Sequence, residues 1–117
     1  MSLLQWLKTV FGEEQNVIVH RPDDRHSPLV RKRFCFSGLV QGVGFRYEAK
    51  LTADQLNLVG WAKNENDGTV IVEAEGAEVC IDEFIRVMRA VPRFHITNIQ
   101  SENLPVSGIE ASFMALY

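Results

Sequence analysis

The chain has 117 residues, 46% apolar and 23% charged, which suits one domain with its own core and excludes both a disordered chain and two independently folding units. A formal charge of -3 has the wrong sign for a protein that binds mainly by neutralising nucleic-acid phosphates, so any anion site must be local. No apolar run approaches a membrane span, no secretory signal opens the chain, and Cys35 and Cys80 form no metal-binding pair, so a cytoplasmic setting with two free thiols is expected.

Leu3, Leu4, Leu7, Val10 and Phe11 recur at helical spacing, with Ser2 placed to cap and Gly12 to end a short amphipathic helix. Asn16 to His20 alternates as a small extended segment, and Arg21 to Pro28 is rich in turn formers. Residues 1–30 therefore read as an N-terminal extension to a domain spanning 31–117. Within it, Arg33 to Leu39 alternates Phe34 and Phe36 against Cys35 and predicts a strand. Phe45 to Asn57 repeats Phe45, Ala49, Thr52, Ala53 and Leu56 as a buried helical stripe. Val59 to Asn64 and Thr69 to Glu75, joined by Glu65-Asn66-Asp67-Gly68, predict a hairpin.

Ala77 to Val91 predicts a second helix, with Ile81, Phe84, Ile85, Met88 and Val91 inward and Pro92 stopping it. His95 to Asn103 and Ile109 to Tyr117 predict the last two strands, the latter alternating Ile109, Ala111, Phe113 and Ala115. The order β-α-β-β-α-β plus a terminal strand predicts an α+β, ferredoxin-like sandwich: an antiparallel sheet of four or five strands with two helices on one face.

The turn between the first strand and the first helix, SGLVQGVG, carries the chemistry. A strand that runs through glycines into a helix N-terminus presents unpaired amide groups and the positive end of the helix dipole, and so can hold an anion. Gly38, Gly42 and Gly44 can take the backbone angles such a nest needs, and the Arg46 guanidinium can fork two oxygens of the same anion. Read on composition alone, the glycines need only make the turn, with Arg46 solvated. No Gly-Lys-Ser/Thr follows, so this is not a Walker A loop, and the element order lacks the parallel pair a dinucleotide fingerprint needs.

GLVQGVGFR at Gly38–Arg46 and GWAKNENDGTV at Gly60–Val70 together resemble the paired signatures of the acylphosphatases, and the resemblance covers about residues 33–117. It implies hydrolysis of the carboxyl–phosphate bond of acyl phosphates on a ferredoxin-like fold, with no metal and no cofactor. By position it implies a phosphate-binding arginine at Arg46, a water-orienting asparagine at Asn64, and a cradle of backbone amides at Leu39, Val40, Gln41, Gly42 and Val43. It implies a small-molecule acyl phosphate as substrate and inorganic phosphate as product; from charge and the lack of a long apolar run no nucleic-acid or membrane partner is expected, and the chain is expected to be a monomer or weak dimer. Leu39 stands where the family often has a basic residue, and Glu65 where it often has a small hydroxyl residue.

Two other readings share this element order. An RNA-recognition module would need aromatics on its third strand, but TVIVEAEG is acidic and has none. A catalytically silent regulatory domain need not keep both Arg46 and Asn64. His20, His26 and His95 are isolated and read as surface residues.

Overall fold

The computed structural model describes residues 2–6 and 17–117. Ser2 opens the helical turn at 3–6 with a reciprocal capping box. Its Oγ accepts from the Gln5 amide at 3.1 Å, and its own amide donates to Gln5 Oε1 at 3.0 Å. The remainder of the expected N-terminal helix, Leu7 to Gly12, lies outside the described residues, as does Asn16.

The strands are β1 (Leu29–Leu39), β2 (Val59–Asn64), β3 (Val70–Ala77), β4 (His95–Leu104) and β5 (Phe113–Leu116), in the sheet order β4-β1-β3-β2-β5. The first four pair antiparallel, and β5 joins the outer edge of β2 in parallel. Helices α1 (Phe45–Gln55) and α2 (Glu78–Ala90) cover one face, giving the ferredoxin-like α+β sandwich with an added edge strand. Alternation puts Phe34, Phe36, Val70, Val72 and Ala74 on the helix side. There they meet Phe45, Ala49 and Ala53 of α1 and Ile81, Phe84 and Met88 of α2 in one buried cluster. The rings of Phe36, Phe45 and Phe94 follow one another with centroids 4.8 and 4.9 Å apart, which seats the start of α1 against the end of β1. Among the described residues no helix is long and apolar enough to cross a membrane.

Several boundaries differ from the sequence pattern. β1 begins at Leu29, ahead of the expected Arg33, because Leu29 and Val30 pair with Ala77 and Gly76 while Arg31 finds Glu73 across the ladder and Lys32 finds Glu78 at the start of α2. α1 ends at Gln55, ahead of Asn57: the Leu58 amide donates back to Ala53 O at 2.9 Å, and Asn57 takes φ 54°, a left-handed C-terminal turn. The segment 17–20 alternates as expected, with Val17 and Val19 packed on the core, yet it joins no sheet. Side chains of α2 bond its backbone instead: Glu83 Oε2 accepts from His20 N at 2.8 Å, and Arg86 Nη2 donates to Ile18 O at 2.9 Å. Ser27 Oγ and Pro28 O accept from the amides of Val79 and Glu78, capping α2, whose own N-cap, Ala77, has no side-chain acceptor.

The expected last strand is cut to Phe113–Leu116, and Ile109 is 80% exposed. A polar latch on the helix-free face holds the preceding loop off the sheet. Glu75, 4% exposed, accepts from the amides of Ser107 and Gly108 at 2.8 and 3.0 Å, while the equally buried Arg31 bonds Glu73, Glu75 and Glu110. Burial pushes Glu75 up, but those two amides and the Arg31 guanidinium outweigh it and leave its carboxyl below the usual range. Arg31 likewise lowers Glu110.

Candidate functional site

The loop between β1 and α1 turns on Gly42 and Gly44, with φ 73° and 77°, values that glycine takes without strain. Gly44 is also the N-cap of α1 and offers no side chain there, so the first amides of the helix are left for another acceptor. A cavity of about 190 Å³ opens at this point, lined by Val40, Gly42, Gly44, Phe45, Arg46, Tyr47, Asn64 and Tyr117. Two residues far apart in sequence thus meet: Arg46 from the first turn of α1 and Asn64 from the last residue of β2.

Arg46 is aimed by the C-terminal strand. Its Nη1 donates to Leu116 O at 2.6 Å, and its guanidinium carbon sits 4.5 Å from the centre of the Tyr117 ring. Among the described residues this is its one hydrogen bond, so Nε and Nη2 keep donors for an anion. Of the five expected cradle residues, Val40 and Gly42 line the cavity, while Leu39, which ends β1, and Gln41 and Val43 of the loop do not. Leu39 is 57% exposed, so the side chain that departs from the family pattern is turned to solvent.

The Gln41 side chain has a separate task. Its Nε2 donates to Glu65 O at 2.7 Å and Thr69 O at 2.8 Å. β1 and β2 are not neighbours in the sheet, since β3 lies between them, and this amide ties the cradle loop to the turn that follows Asn64. Sequence reasoning did not reach this clasp, nor Leu116, Tyr47 and Tyr117 at the site, because no local periodicity marks them.

Glu65 follows Asn64 but faces away from the cavity. It lines a different depression with Arg33, Cys35, Asp67 and Ile71, whereas Asn64 shares the parity of the buried Gly60 and Ala62. Were its carboxylate about 7 Å from a bound phosphate, repulsion would reach about 2 kcal/mol per unit charge at an effective dielectric near 20. With the charge on the other side of the sheet, Glu65→Thr should change KM for an acyl phosphate and Ki for inorganic phosphate by less than about threefold. A tenfold tightening of phosphate would place Glu65 at the cradle instead.

The histidines play no part in this geometry: His20, His26 and His95 are exposed and line no part of the cavity. Among the described residues no group of three or more His, Cys, Asp or Glu could hold a metal ion.

Residues 32–115 match the family model for Acylphosphatase. An acylphosphatase of Pediococcus pentosaceus is 52% identical over 56 residues, a match spanning 48% of this chain and 62% of that protein. An acylphosphatase of Clostridium perfringens is 37% identical over 86 residues, 73% of this chain and 97% of the relative. Among solved structures, the acylphosphatase from Bacillus subtilis superposes with a TM-score of 0.71 at 34% identity, covering 77% of this chain and all of that one.

Proposed function

The chain belongs to the acylphosphatase family, and from that premise we propose how it hydrolyses the carboxyl–phosphate bond of an acyl phosphate: amides of the Leu39–Val43 loop and Arg46 hold the phosphoryl group while Asn64 aims the attacking water. The observation that carries this reading is the meeting of Arg46 and Asn64 in one small cavity with Gly42 and Gly44.

An acyl phosphate already has a good leaving group, so the protein needs no covalent nucleophile. Water oxygen bonds to phosphorus as the bond from phosphorus to the acyl oxygen breaks, and the carboxylate leaves with the electron pair. In the loose transition state of phosphoryl transfer, charge spreads over the phosphoryl oxygens. Fixed amide dipoles and a forked guanidinium stabilise that charge without reorganising. The Asn64 carbonyl oxygen accepts from the water, and its NH2 group donates to a phosphoryl oxygen. An amide cannot take up the proton, which passes to a phosphate oxygen or to solvent. Phosphate monoesters, with poorer leaving groups and no carboxyl or imidazole side chain among the residues lining the cavity, react slowly or not at all. Free Cys35 and Cys80 agree with the reducing cytoplasm to which we assign the protein.

The test compares benzoyl phosphate and acetyl phosphate with p-nitrophenyl phosphate, in EDTA and without added metal. Rapid loss of the two acyl phosphates beside a nearly inert monoester is the expected pattern, and equal rates on all three would overturn the reading. Asn64→Ala should lower kcat by about a hundredfold while leaving Ki for phosphate within about threefold, because it removes the orientation of the water and keeps the cradle. An equal loss of phosphate affinity and of rate would assign Asn64 to phosphate binding.

A further inference from the structure

A cradle of amides works only if its carbonyls are turned away from the anion, and something must hold them there. We propose that Arg93, which lies just before β4 and lines no part of the cavity, is a positioning residue that aims the cradle through the Val43–Gly44 peptide. Its Nε donates to Val43 O at 2.7 Å and its Nη2 to Glu48 Oε1 at 2.8 Å, so one rigid fork grips both the end of the loop and the first turn of α1. Across a trans peptide, C=O and the following N–H point in opposite directions. Fixing Val43 O against Arg93 therefore turns the Gly44 amide the other way, and Gly44 lines the cavity.

Three further observations make the grip stiff. The Arg93 side chain is only 7% exposed. Its guanidinium carbon stands 5.0 Å from the centre of the Phe94 ring, and that ring packs on Phe45, the residue before Arg46. A Cβ on Gly44 would sit 3.3 Å from Arg93 Nη2, so backbone and guanidinium already fit closely. Because Glu48 balances its charge, Arg93 acts by geometry and not as a second cation for the substrate.

The inference rests on the cradle reading above, and the test separates the two. Arg93→Met, Arg93→Lys and Glu48→Gln are assayed in the full chain for benzoyl phosphate hydrolysis and for inhibition by inorganic phosphate, with Arg46→Ala alongside and thermal melts of each. Arg93→Met should raise KM and phosphate Ki together by about fivefold or more while kcat falls less than about threefold, the signature of a loosened binding site. Arg93→Lys should not restore Ki, since an ammonium point charge cannot make the fork; Glu48→Gln, which keeps the bond to Val43, should raise Ki by about two- to threefold. An unchanged Ki in Arg93→Met, or its rescue by lysine, would overturn the proposal, the latter assigning Arg93 to charge alone. Should Arg93→Met fail to melt cooperatively, Arg93→Lys and Glu48→Gln decide by the same criteria: normal Ki in both overturns it. If Arg46→Ala weakens phosphate and Arg93→Met does not, only the role of Arg93 is lost. If phosphate does not inhibit the parent, or Arg46→Ala leaves Ki unchanged, the cradle reading falls and this proposal with it.

Discussion

Arg46→Ala should lower kcat/KM for benzoyl phosphate by about two to nearly four powers of ten and should leave the circular dichroism spectrum and melting behaviour those of the parent. The size follows from losing a charge-assisted, two-pronged contact that strengthens as charge develops on the phosphoryl group, worth about 3 to 5 kcal/mol. The fold tolerates the loss because Arg46 is only partly buried and the one group it leaves behind, Leu116 O, sits at the exposed C-terminal end where water can reach it. Arg46→Lys should recover little, since a single ammonium cannot hold Leu116 O and fork two phosphoryl oxygens at once. Activity above a tenth of the parent's in Arg46→Ala would remove Arg46 from its role.

Arg31→Met should have the largest effect on stability. It takes the central, buried cation from a group in which Arg31 and Glu75 side chains are each 5% exposed, Glu73 13% and Glu110 17%, leaving only the more exposed Arg33 beside Glu73 among the described residues. Breaking such a group from one side costs about 3 to 5 kcal/mol, because the buried carboxylates stay behind without the cation they share. Against a total of about 5 to 15 kcal/mol for a domain of this kind, that is a large share. The dependence on pH identifies the cause. In the parent, Glu75 and Glu110 lie below their ordinary 4.5, so their contribution is present above that value and is lost as pH falls through the lowered folded one. In Arg31→Met burial still raises both carboxyls while the guanidinium that lowers them is gone, so the stability the parent gains above that range should shrink. Urea melts at pH 4, 5 and 7 should show the deficit growing with pH. A deficit that is constant across that range would point to lost packing of the arginine stem and not to stranded charge.

This latch also explains why the C-terminal strand was harder to read than the others. Ile109 and Ala111 continue the alternation of Phe113 and Ala115, and alternation of that kind is the whole local signal for a strand. What removes them from the sheet is a set of bonds to Glu75 and Arg31, residues that the local pattern leaves on the outer face of their strands. The start of β1 was obscured for the related reason that Arg31, Lys32 and Arg33 look like surface charges until Glu73, Glu75 and Glu78 are found opposite them.

By itself the sequence determined the order of the elements, the faces of both helices, the β2–β3 hairpin and the loop with Arg46, since each is written in residues close together along the chain, as period, turn chemistry or motif. Only the tertiary structure decided how that loop is held: Gln41 bonded to the turn after Asn64, Arg93 gripping Val43 and Glu48, and Leu116 aiming Arg46. Those contacts join groups on different elements through single hydrogen bonds, and whether such groups meet depends on sheet order and helix seating. A pattern read along the chain carries no distance between residues that are far apart in it, so the proposed site residues can be named from their motifs while the contacts that support them cannot.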